Sequence, residues 1–213
     1  MNSPRIEVVD FTNPDPALVS RVASLLEEGR LVVAPTETRY GLMARADRPE
    51  TLNRLYNVKG RPAEMPTAIF AADIEAVWSY GKATSAARRI AEKFLPGPLT
   101  LVLEARRDLG SPIVVDGKIG VRVSSAPFIT MLLGEVVFPV TATSANLSGG
   151  DDIDTIEEIA RVFGGKVDLY LDSGTLDNPV STVVDAGSDS PVVLREGAIP
   201  ADSILSLLKS QLI

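Results

Sequence analysis

Two segments of the sequence, Leu31-Val32-Val33-Ala34-Pro35-Thr36-Glu37-Thr38-Arg39-Tyr40-Gly41 and Lys59-Gly60-Arg61-Pro62, form the stretch that decides the predicted fold. The apolar run predicts a strand that stops at Pro35 and delivers a Thr-rich segment at its carboxyl end. A helix is predicted next, because Pro49 suits a first helical turn and apolar residues then recur at helical spacing. Gly60 ends this helix, and Pro62 prevents it from resuming. The pattern therefore places two cations, Lys59 and Arg61, on a rigid bend beside a polar strand end.

Two interpretations of Lys59 and Arg61 are open at this point. Ammonium and guanidinium groups on a fixed bend suit the binding of an anion such as a triphosphate or a carboxylate. Cations also complement the C-terminal end of a helix dipole in many proteins. The spacing alone does not separate an anion site from this structural role.

Length and charge set limits on the fold and its partners. With 213 residues the chain is predicted to form a single domain, 1–213, with a sizeable core. The 21 basic and 28 acidic residues give a net charge of −7. A surplus of negative charge disfavours a long, sequence-independent grip on nucleic-acid phosphates.

The residue types that are missing are more informative. The sequence has no Cys and no His, which excludes disulfides, thiolate or imidazole metal ligands, and the Ser-His-Asp triad. Chemistry must therefore rest on positioning, on Lys and Arg charge, on hydroxyl and backbone groups, or on carboxylates with a hard cation such as Mg²⁺. The segment from Met1 to Ile6 has no apolar signal core, and no run reaches the ~18 residues of a membrane span. We expect a cytoplasmic protein without membrane contact.

The rest of the chain alternates between strand and helix patterns. Further strands are predicted at 67–71, 99–104, 119–123, 136–142, 167–171, 181–185 and 192–195. Helices are predicted at 16–28, 74–80, 85–94, 127–133, from a capping box at 154–157 through 163, and from about 202. The alternation, with consecutive hairpin-like strands late in the chain, predicts a mixed α/β sheet with helices packed on it.

Two further places along the chain carry polar groups of interest. Arg122 lies within a strand of small apolar residues, where it is either solvated on an edge or directed at something negative. The strand before Thr143 runs into a loop that contains Ser144 and Asn146. Ser, Asn and Gly are also the commonest turn residues, so an ordinary loop is the alternative.

Taken together, these motifs resemble the YrdC-like family of threonylcarbamoyl-AMP synthases. The matching stretches are Pro35-Thr36-Glu37-Thr38, Tyr40-Gly41-Leu42, Lys59-Gly60-Arg61-Pro62, Pro96-Gly97-Pro98-Leu99-Thr100-Leu101-Val102, Val121-Arg122-Val123, Thr143-Ser144-Ala145-Asn146-Leu147-Ser148-Gly149, Ser181-Thr182-Val183-Val184-Asp185 and Leu194-Arg195-Glu196-Gly197-Ala198-Ile199. They occur in the family's order across nearly the whole chain. The resemblance implies an α/β fold, a YrdC-like twisted mixed sheet with flanking helices and a large concave face, in the short single-domain form.

The resemblance also implies a reaction and a set of site residues. Threonine takes up CO₂ from bicarbonate as a carbamate, which attacks the α-phosphate of ATP to give L-threonylcarbamoyladenylate and pyrophosphate, for the threonylcarbamoyladenosine modification of tRNA. Mg²⁺ is expected to arrive with ATP, no metal site is expected on the protein, and the downstream threonylcarbamoyl-transfer proteins are possible partners. The implied roles are catalysis for Lys59 and Arg61, threonine binding for Thr36, Arg122 and Ser181, and nucleotide binding for Lys59, Arg61, Ser144, Asn146 and Arg195.

The chain also departs from the family pattern near the implied threonine site. Arg39 stands where the family usually has an apolar residue, Phe70 where it often has His, and Ser124 where it often has Pro. These departures motivate a second hypothesis, a YrdC-like paralogue that makes a different carbamoyl adenylate. A third hypothesis, a non-catalytic RNA-binding module, is disfavoured by the net charge and by an aromatic content of 5%.

Overall fold

The computed structural model describes residues 4–209, so the part of the N-terminal expectation that concerns residues 1–3 lies outside it. The strands in this range are β1 (Ile6–Val8), β2 (Val32–Ala34), β3 (Gly41–Met43), β4 (Ala68–Phe70), β5 (Leu99–Glu104), β6 (Val114–Val115), β7 (Lys118–Arg122), β8 (Val140–Ser144), β9 (Leu169–Asp172), β10 (Thr182–Asp185) and β11 (Val192–Arg195). The helices are α1 (Pro16–Glu27), α2 (Pro49–Lys59), α3 (Ile74–Tyr80), α4 (Ser85–Phe94), α5 (Pro127–Glu135), α6 (Ile156–Phe163) and α7 (Ala201–Lys209). The predicted α/β class is confirmed.

The strands form one continuous mixed sheet. Its order is β1-β9-β2-β3-β8-β4-β7-β5-β10-β11, with β6 paired to β7 outside this path. The sheet contains both parallel pairs, such as β4 with β7, and antiparallel pairs, such as β4 with β8. Strand β8 joins the two halves, because it pairs with β3 on one side and with β4 on the other.

The two halves of the sheet are covered differently. In the half that runs from β1 to β8, Val32 and Ala34 pack with residues of α1 and α5, whereas Leu31 and Val33 pack with residues of α2 and α6. Both faces of β2 are therefore buried, as its continuous apolar sequence predicts.

In the half that runs from β4 to β11, alternate side chains such as Leu101 and Val121 pack under α3, α4 and α7. The neighbouring positions Thr100, Gly120 and Arg122 point to the opposite face, because successive side chains of a strand alternate. That second face forms the floor of a cavity.

The ends of α1 and α2 are set by the residues that the sequence analysis identified. Asp15 caps α1 by accepting a hydrogen bond from the backbone of Ala17 at 2.9 Å, and Pro16 opens the helix. Gly60 ends α2 in the left-handed conformation, with φ of 58°. The chain therefore leaves α2 on a bend that carries Lys59 on one side and Arg61 on the other.

Several sequence-based expectations need correction. The strand expected at 136–142 forms at Val140–Ser144 instead, because Val137 is fully exposed and Phe138 packs sideways under the Arg45 guanidinium. Strands β1, β3 and β6 were not predicted, since each has only two or three residues and gains its partners from distant segments. Only β10 and β11 form the late antiparallel pair, whereas β9 pairs with β1 and β2 in the other half of the sheet.

The start of α6 also differs from the predicted capping box. Its N-cap is Thr155, and the Thr155 hydroxyl donates to Glu158 instead of capping the backbone. The Asp154 side chain pairs with Arg39, so it is not available as a cap. Among the helices between residues 4 and 209, none has the length and apolar character that crossing a membrane would require.

Candidate functional site

The open face of the β4–β11 half holds a cavity of about 810 Å³. Every site residue that the sequence analysis singled out lines it: Thr36, Lys59, Arg61, Arg122, Ser144, Asn146, Ser181 and Arg195. These residues lie between positions 36 and 195, so the fold brings together side chains that are far apart in the sequence.

The floor of the cavity consists of small side chains. Gly120 lies at the centre of β7, where an added Cβ would come within 3.0 Å of the Cβ of Ala68 and 3.5 Å of the Thr100 methyl. Ala142 and Gly41 extend the same floor toward β3. The absence of bulk here leaves room for a ligand close to the backbone of the sheet.

Lys59 is the most buried cation of the site. Its side chain is 2% exposed, and Nζ donates to the carbonyl oxygens of Ser144 and, at 2.9 Å, of Asn146. Burial, reinforced by the nearby charge of Arg61, lowers the pKa of Lys59 from 10.5 to about 7. Lys59 thus ties the end of α2 to the loop after β8, in addition to lining the cavity.

Arg61 lies on the other side of the Gly60 bend. Its Nη2 donates to the Pro66 carbonyl at 2.7 Å, and its guanidinium lies 6.0 Å from the centre of the Tyr56 ring. The Arg61 Nε is buried and has no protein partner. Arg61 is therefore held in place along one edge.

The loop after β8 carries the predicted polar pair Ser144 and Asn146. The Ser144 hydroxyl donates to the Asn146 side-chain oxygen at 2.5 Å, and the Asn146 amide donates to the Gly150 carbonyl at 3.1 Å. The Ser148 amide donates to the Lys59 carbonyl at 2.9 Å. Hydrogen bonds within the loop fix its conformation, and one further bond joins it to the end of α2. An ordinary turn, the alternative that its composition suggested, would not need the bond to α2.

Arg122 is internal, which resolves the two alternatives left by the sequence. Its side chain is 9% exposed, and Nη2 pairs with Glu37 at 2.8 Å and donates to the Thr38 hydroxyl at 2.9 Å. The Ser124 hydroxyl donates to the second oxygen of Glu37. The Nε of Arg122 is buried without a protein partner, and the Phe70 ring lies 5.9 Å from the guanidinium. Arg122 is therefore oriented by its contacts with Glu37 and Thr38.

Arg195 and Ser181 form a unit at the β10–β11 end of the cavity. Arg195 donates through Nη2 to the Ser181 carbonyl at 2.8 Å and to its hydroxyl at 3.1 Å. The same hydroxyl lies 3.3 Å from the hydroxyl of Thr100. Burial lowers the pKa of Arg195 from its ordinary value.

Thr36 and Arg39 lie in the turn between β2 and β3. The Thr36 hydroxyl donates to the Arg39 carbonyl at 2.7 Å and lies 3.1 Å from the Thr38 hydroxyl, so it shapes this turn as well as facing the cavity. Arg39 extends along the cavity wall and pairs with Asp154.

Sequence analysis assigned no role to three polar residues of the site, Glu37, Ser124 and Asp152. Glu37 and Ser124 act through Arg122, a contact between the β2–β3 turn and β7 that no local pattern indicates. Asp152 lines the cavity and acts electrostatically on both Lys59 and Arg195, whose pKa values it raises. Its one signal in the sequence was its place just after the Ser144–Gly150 loop.

The arrangement has a clear chemical capacity. Six basic residues line the cavity, which also presents hydroxyl and amide groups: Arg39, Lys59, Arg61, Lys118, Arg122 and Arg195. In residues 4–209, no group of three or more His, Cys, Asp or Glu side chains is placed to hold a metal ion. Such a site stabilises negative charge on a ligand through fixed donors. Fold and cavity together define the class: an open mixed α/β sheet that presents a cationic, hydroxyl-rich concave face to an anionic ligand.

Comparison with known proteins places the chain within this class. The family model Sua5/YciO/YrdC, described as telomere recombination, matches residues 24–197. The threonylcarbamoyl-AMP synthase of Bacillus subtilis is 33% identical over 207 residues, covering 95% of this chain and 60% of that protein. The chain belongs to the Sua5/YciO/YrdC family, as its motifs predicted.

Two solved structures share the fold. The crystal structure of Pyrococcus abyssi Sua5 complexed with L-threonine superposes with a TM-score of 0.86 at 32% identity, over 96% of this chain and 61% of that chain. Escherichia coli YciO superposes with a TM-score of 0.87 at 24% identity, over 94% of this chain and 99% of that chain. The chain therefore spans about 60% of the length of the Bacillus and Pyrococcus relatives and nearly all of the length of YciO.

Proposed function

We propose that this protein is a threonylcarbamoyl-AMP synthase, which forms L-threonylcarbamoyladenylate and pyrophosphate from L-threonine, bicarbonate and ATP. The observation that carries the proposal is the convergence of Lys59, Arg61, Arg122 and Arg195 on one cavity, in a chain without His. The similarity to the Bacillus synthase and to the threonine-bound Sua5 supports it. The product would serve the threonylcarbamoyladenosine modification of tRNA.

The reaction needs little acid or base chemistry from the protein. The threonine nitrogen forms a bond to CO₂ derived from bicarbonate and gives up a proton. A carbamate oxygen then forms a bond to the α-phosphorus of ATP, and the bond to the β-phosphate breaks as pyrophosphate leaves with its electron pair. Such a transfer is accelerated mainly by holding the reactants in line and by stabilising the charge that moves to the leaving group.

The site residues divide between the two substrates. Arg122, held by Glu37, directs its unpartnered Nε to the threonine carboxylate, and Thr36 and Ser181 line the same part of the wall. Arg61 and Arg195 hold the phosphates, and Lys59 keeps the Ser144–Asn146 loop in place beside them. Arg61 and Arg122 are assigned ligand contacts because each has a buried Nε without a partner in the described chain. Lys59 is assigned a supporting role because its ammonium already donates to two backbone carbonyls.

Mg²⁺ is part of the proposal as the partner of ATP. The cavity offers hydroxyls, an amide and the carboxylates of Glu64, Asp116, Asp152 and Asp185, but within residues 4–209 no three acidic side chains are grouped to hold a metal ion. This donor set suits an ion that binds chiefly through phosphates and water. When bound, Mg²⁺ would neutralise charge on the triphosphate.

Other partners and the setting of the reaction are inferred from the proposed activity. Bicarbonate is the carbon source, and threonylcarbamoyl-transfer proteins would take the product. We infer from the proposed activity that the protein acts in the cytoplasm. We also infer that it does not bind tRNA tightly, because its net charge is −7.

A second candidate function is favoured by Phe70 and Arg39. The Phe70 ring lies beside Arg122, and Arg39 adds a cation to the neighbouring wall, so the acceptor pocket differs in shape and charge from that of the family pattern. A paralogue that carbamoylates and adenylates another amino acid would share the ATP site. Thermal stabilisation by ATP together with a different amino acid, and none by threonine, would favour this alternative.

Arg61 provides a test of the site. Arg61→Ala should reduce pyrophosphate release that depends on threonine and bicarbonate to below ~1% of the wild-type rate, because a phosphate-binding cation is lost. A coupled assay for pyrophosphate measures the rate. Arg30→Ala, which removes an exposed arginine paired with Glu28 and Asp168, is the control and should leave the rate unchanged. Unchanged turnover in Arg61→Ala would contradict the site assignment.

A further inference from the structure

Arg39 connects the β2–β3 turn to the loop between β8 and α6. Its Nη1 pairs with Asp154 and donates to the Leu176 carbonyl at 3.2 Å, while Nη2 lies 3.9 Å from the Asp152 carboxylate. The Arg39 side chain is only 17% exposed. One guanidinium therefore faces two carboxylates of the same loop.

The backbone on both sides of this contact is fixed. The Arg39 amide donates to the Thr36 hydroxyl at 3.3 Å, and the Arg39 carbonyl accepts from the same hydroxyl at 2.7 Å. On the other side, the Leu176 amide donates to the Asp154 carbonyl at 2.9 Å. Arg39 and Asp154 thus form a firm pair, whereas Asp152 is held more loosely, at 3.9 Å and with a side chain 38% exposed.

Asp152 is the acidic residue whose position matters for an anionic ligand. It lines the same cavity as Lys59 and Arg195. Burial lowers the pKa of both cations, and the Asp152 charge opposes part of that shift. A carboxylate placed among those cations would compete with a phosphate for them and would repel it. The attraction of Arg39, whose Nη2 lies 3.9 Å from the Asp152 carboxylate, competes with the attraction of those cations.

We propose that Arg39 is a positioning residue that draws the Asp152 carboxylate away from the side of the cavity where Lys59 and Arg195 lie, and so reduces the repulsion between Asp152 and a bound polyphosphate. The proposal rests on the proposed function in taking ATP as the ligand. Arg39 then acts through Asp152, with Asp154 as the fixed anchor of the pair. Without Arg39, Asp152 turns toward the cations and becomes a competitor of the ligand within the site.

A double-mutant cycle on ATP affinity tests this coupling. The four proteins are the wild type, Arg39→Met, Asp152→Asn and Arg39→Met/Asp152→Asn, and the dissociation constant of Mg-ATP is measured by calorimetry for each. With Asp152 present, Arg39→Met should weaken binding about tenfold, equivalent to ~1.4 kcal/mol. With Asn at position 152, the same substitution should weaken binding by less than about twofold, because no carboxylate remains to be withdrawn.

Other outcomes separate this proposal from simpler roles of Arg39. Equal losses in both backgrounds would mean that Arg39 contacts the ligand or supports the fold directly, and would overturn the proposal. No loss in Arg39→Met would also overturn it. If Arg39→Met does not fold, Asp154→Asn takes its place in the cycle, since it removes the anchor of the guanidinium and leaves Arg39 itself intact.

A matched control and the wild type complete the design. Arg45→Met breaks an arginine–aspartate pair with Asp47, joined at 2.6 Å, that does not line the cavity, and it should leave ATP affinity unchanged. A similar loss in Arg45→Met would contradict a specific effect of Arg39. A wild-type protein that binds no ATP would overturn the proposed function itself, a result distinct from ATP binding without coupling between Arg39 and Asp152.

Discussion

At the scale of single residues, two arginines of the site share one arrangement: a terminal guanidinium nitrogen donates to a protein acceptor, and the Nε has no partner in the described chain. Arg61 and Arg122 are each fixed through one terminal nitrogen, to Pro66 and to Glu37, while each Nε is buried and unpartnered. Buried donors without a partner are costly, so such groups commonly await a ligand. The proposed function accounts for these two donors through an anionic ligand, whereas the donors of Lys59 are engaged with backbone carbonyls.

The low pKa of Lys59 predicts a specific dependence of stability on pH. Unfolding restores its ordinary pKa of 10.5 from about 7, so between these values the unfolded chain binds more protons and stability rises with pH. At about 1.4 kcal/mol per pKa unit, the ligand-free wild type should gain ~2 kcal/mol relative to Lys59→Met between roughly pH 7 and pH 9. Urea denaturation of both proteins measures the difference. Parallel pH profiles would show that Lys59 stays charged in the folded protein.

Residues of the site differed in how well the sequence predicted them. Lys59, Arg61, Ser144 and Asn146 could be singled out because each lies at or just after the end of an element, beside a Gly bend or in a polar loop. Glu37 was quoted only as part of a motif, and its contact with Arg122 depends on bringing together positions 85 residues apart. The loose contact between Arg39 and Asp152 has no local signal at all, since it is formed by two loops that meet only in the folded chain.

At the scale of elements, the bend after α2 and the loop after β8 determine where the cations lie. Gly60 turns the chain in the left-handed conformation, which puts Lys59 into the protein and Arg61 on the cavity wall. The Ser148 amide then joins the β8 loop to the Lys59 carbonyl. Helix α2 and the loop therefore form one support for the phosphate side of the site.

The backbone conformation of Gly60 leads to a prediction with a built-in control. Gly60→Ala should destabilise the protein by ~1 kcal/mol, because φ is 58° there although an added Cβ meets nothing within 4 Å. Gly134→Ala, also with nothing within 4 Å of the added Cβ but within α5, should stabilise it by about 0.5 kcal/mol. Chemical denaturation gives both values. A neutral or stabilising Gly60→Ala would mean that the bend does not require glycine.

The elements that were predicted least well are the short ones. Helices α3 and α4 and strands β5 and β11 form at the predicted positions, because each has a complete apolar pattern and clear stop signals. Strands β1 and β3 have three residues each, and a run of that length carries no periodicity to recognise. Their strand character comes from pairing with β9 and β8, which a local pattern does not encode.

At the scale of the whole molecule, the unequal coverage of the sheet creates the site. The β1–β8 half has helices on both faces, whereas the β4–β11 half has helices on one face and the cavity on the other. The α/β class was predicted from the alternation of patterns, but strand order was not, because β9 and β10 follow each other in sequence and lie far apart in the sheet.

The continuity of the sheet across β8 predicts that the protein unfolds as one unit. Trp78, 8% exposed, reports on the half covered by α3, α4 and α7, whereas far-ultraviolet circular dichroism reports on helices throughout. The two signals should give coincident denaturation midpoints, as a single domain over 1–213 requires. Separate transitions would contradict the single-domain prediction.

The measurement that tests the central claim most directly is an endpoint assay of the purified protein with ATP, Mg²⁺, bicarbonate and threonine. Mass spectrometry would detect the adenylate, a coupled assay would detect pyrophosphate, and reactions without threonine or with another amino acid would serve as controls. We predict threonylcarbamoyladenylate and pyrophosphate in equal amounts, both dependent on threonine. ATP binding without product from threonine would contradict the proposed activity and would favour an acceptor selected by Phe70 and Arg39.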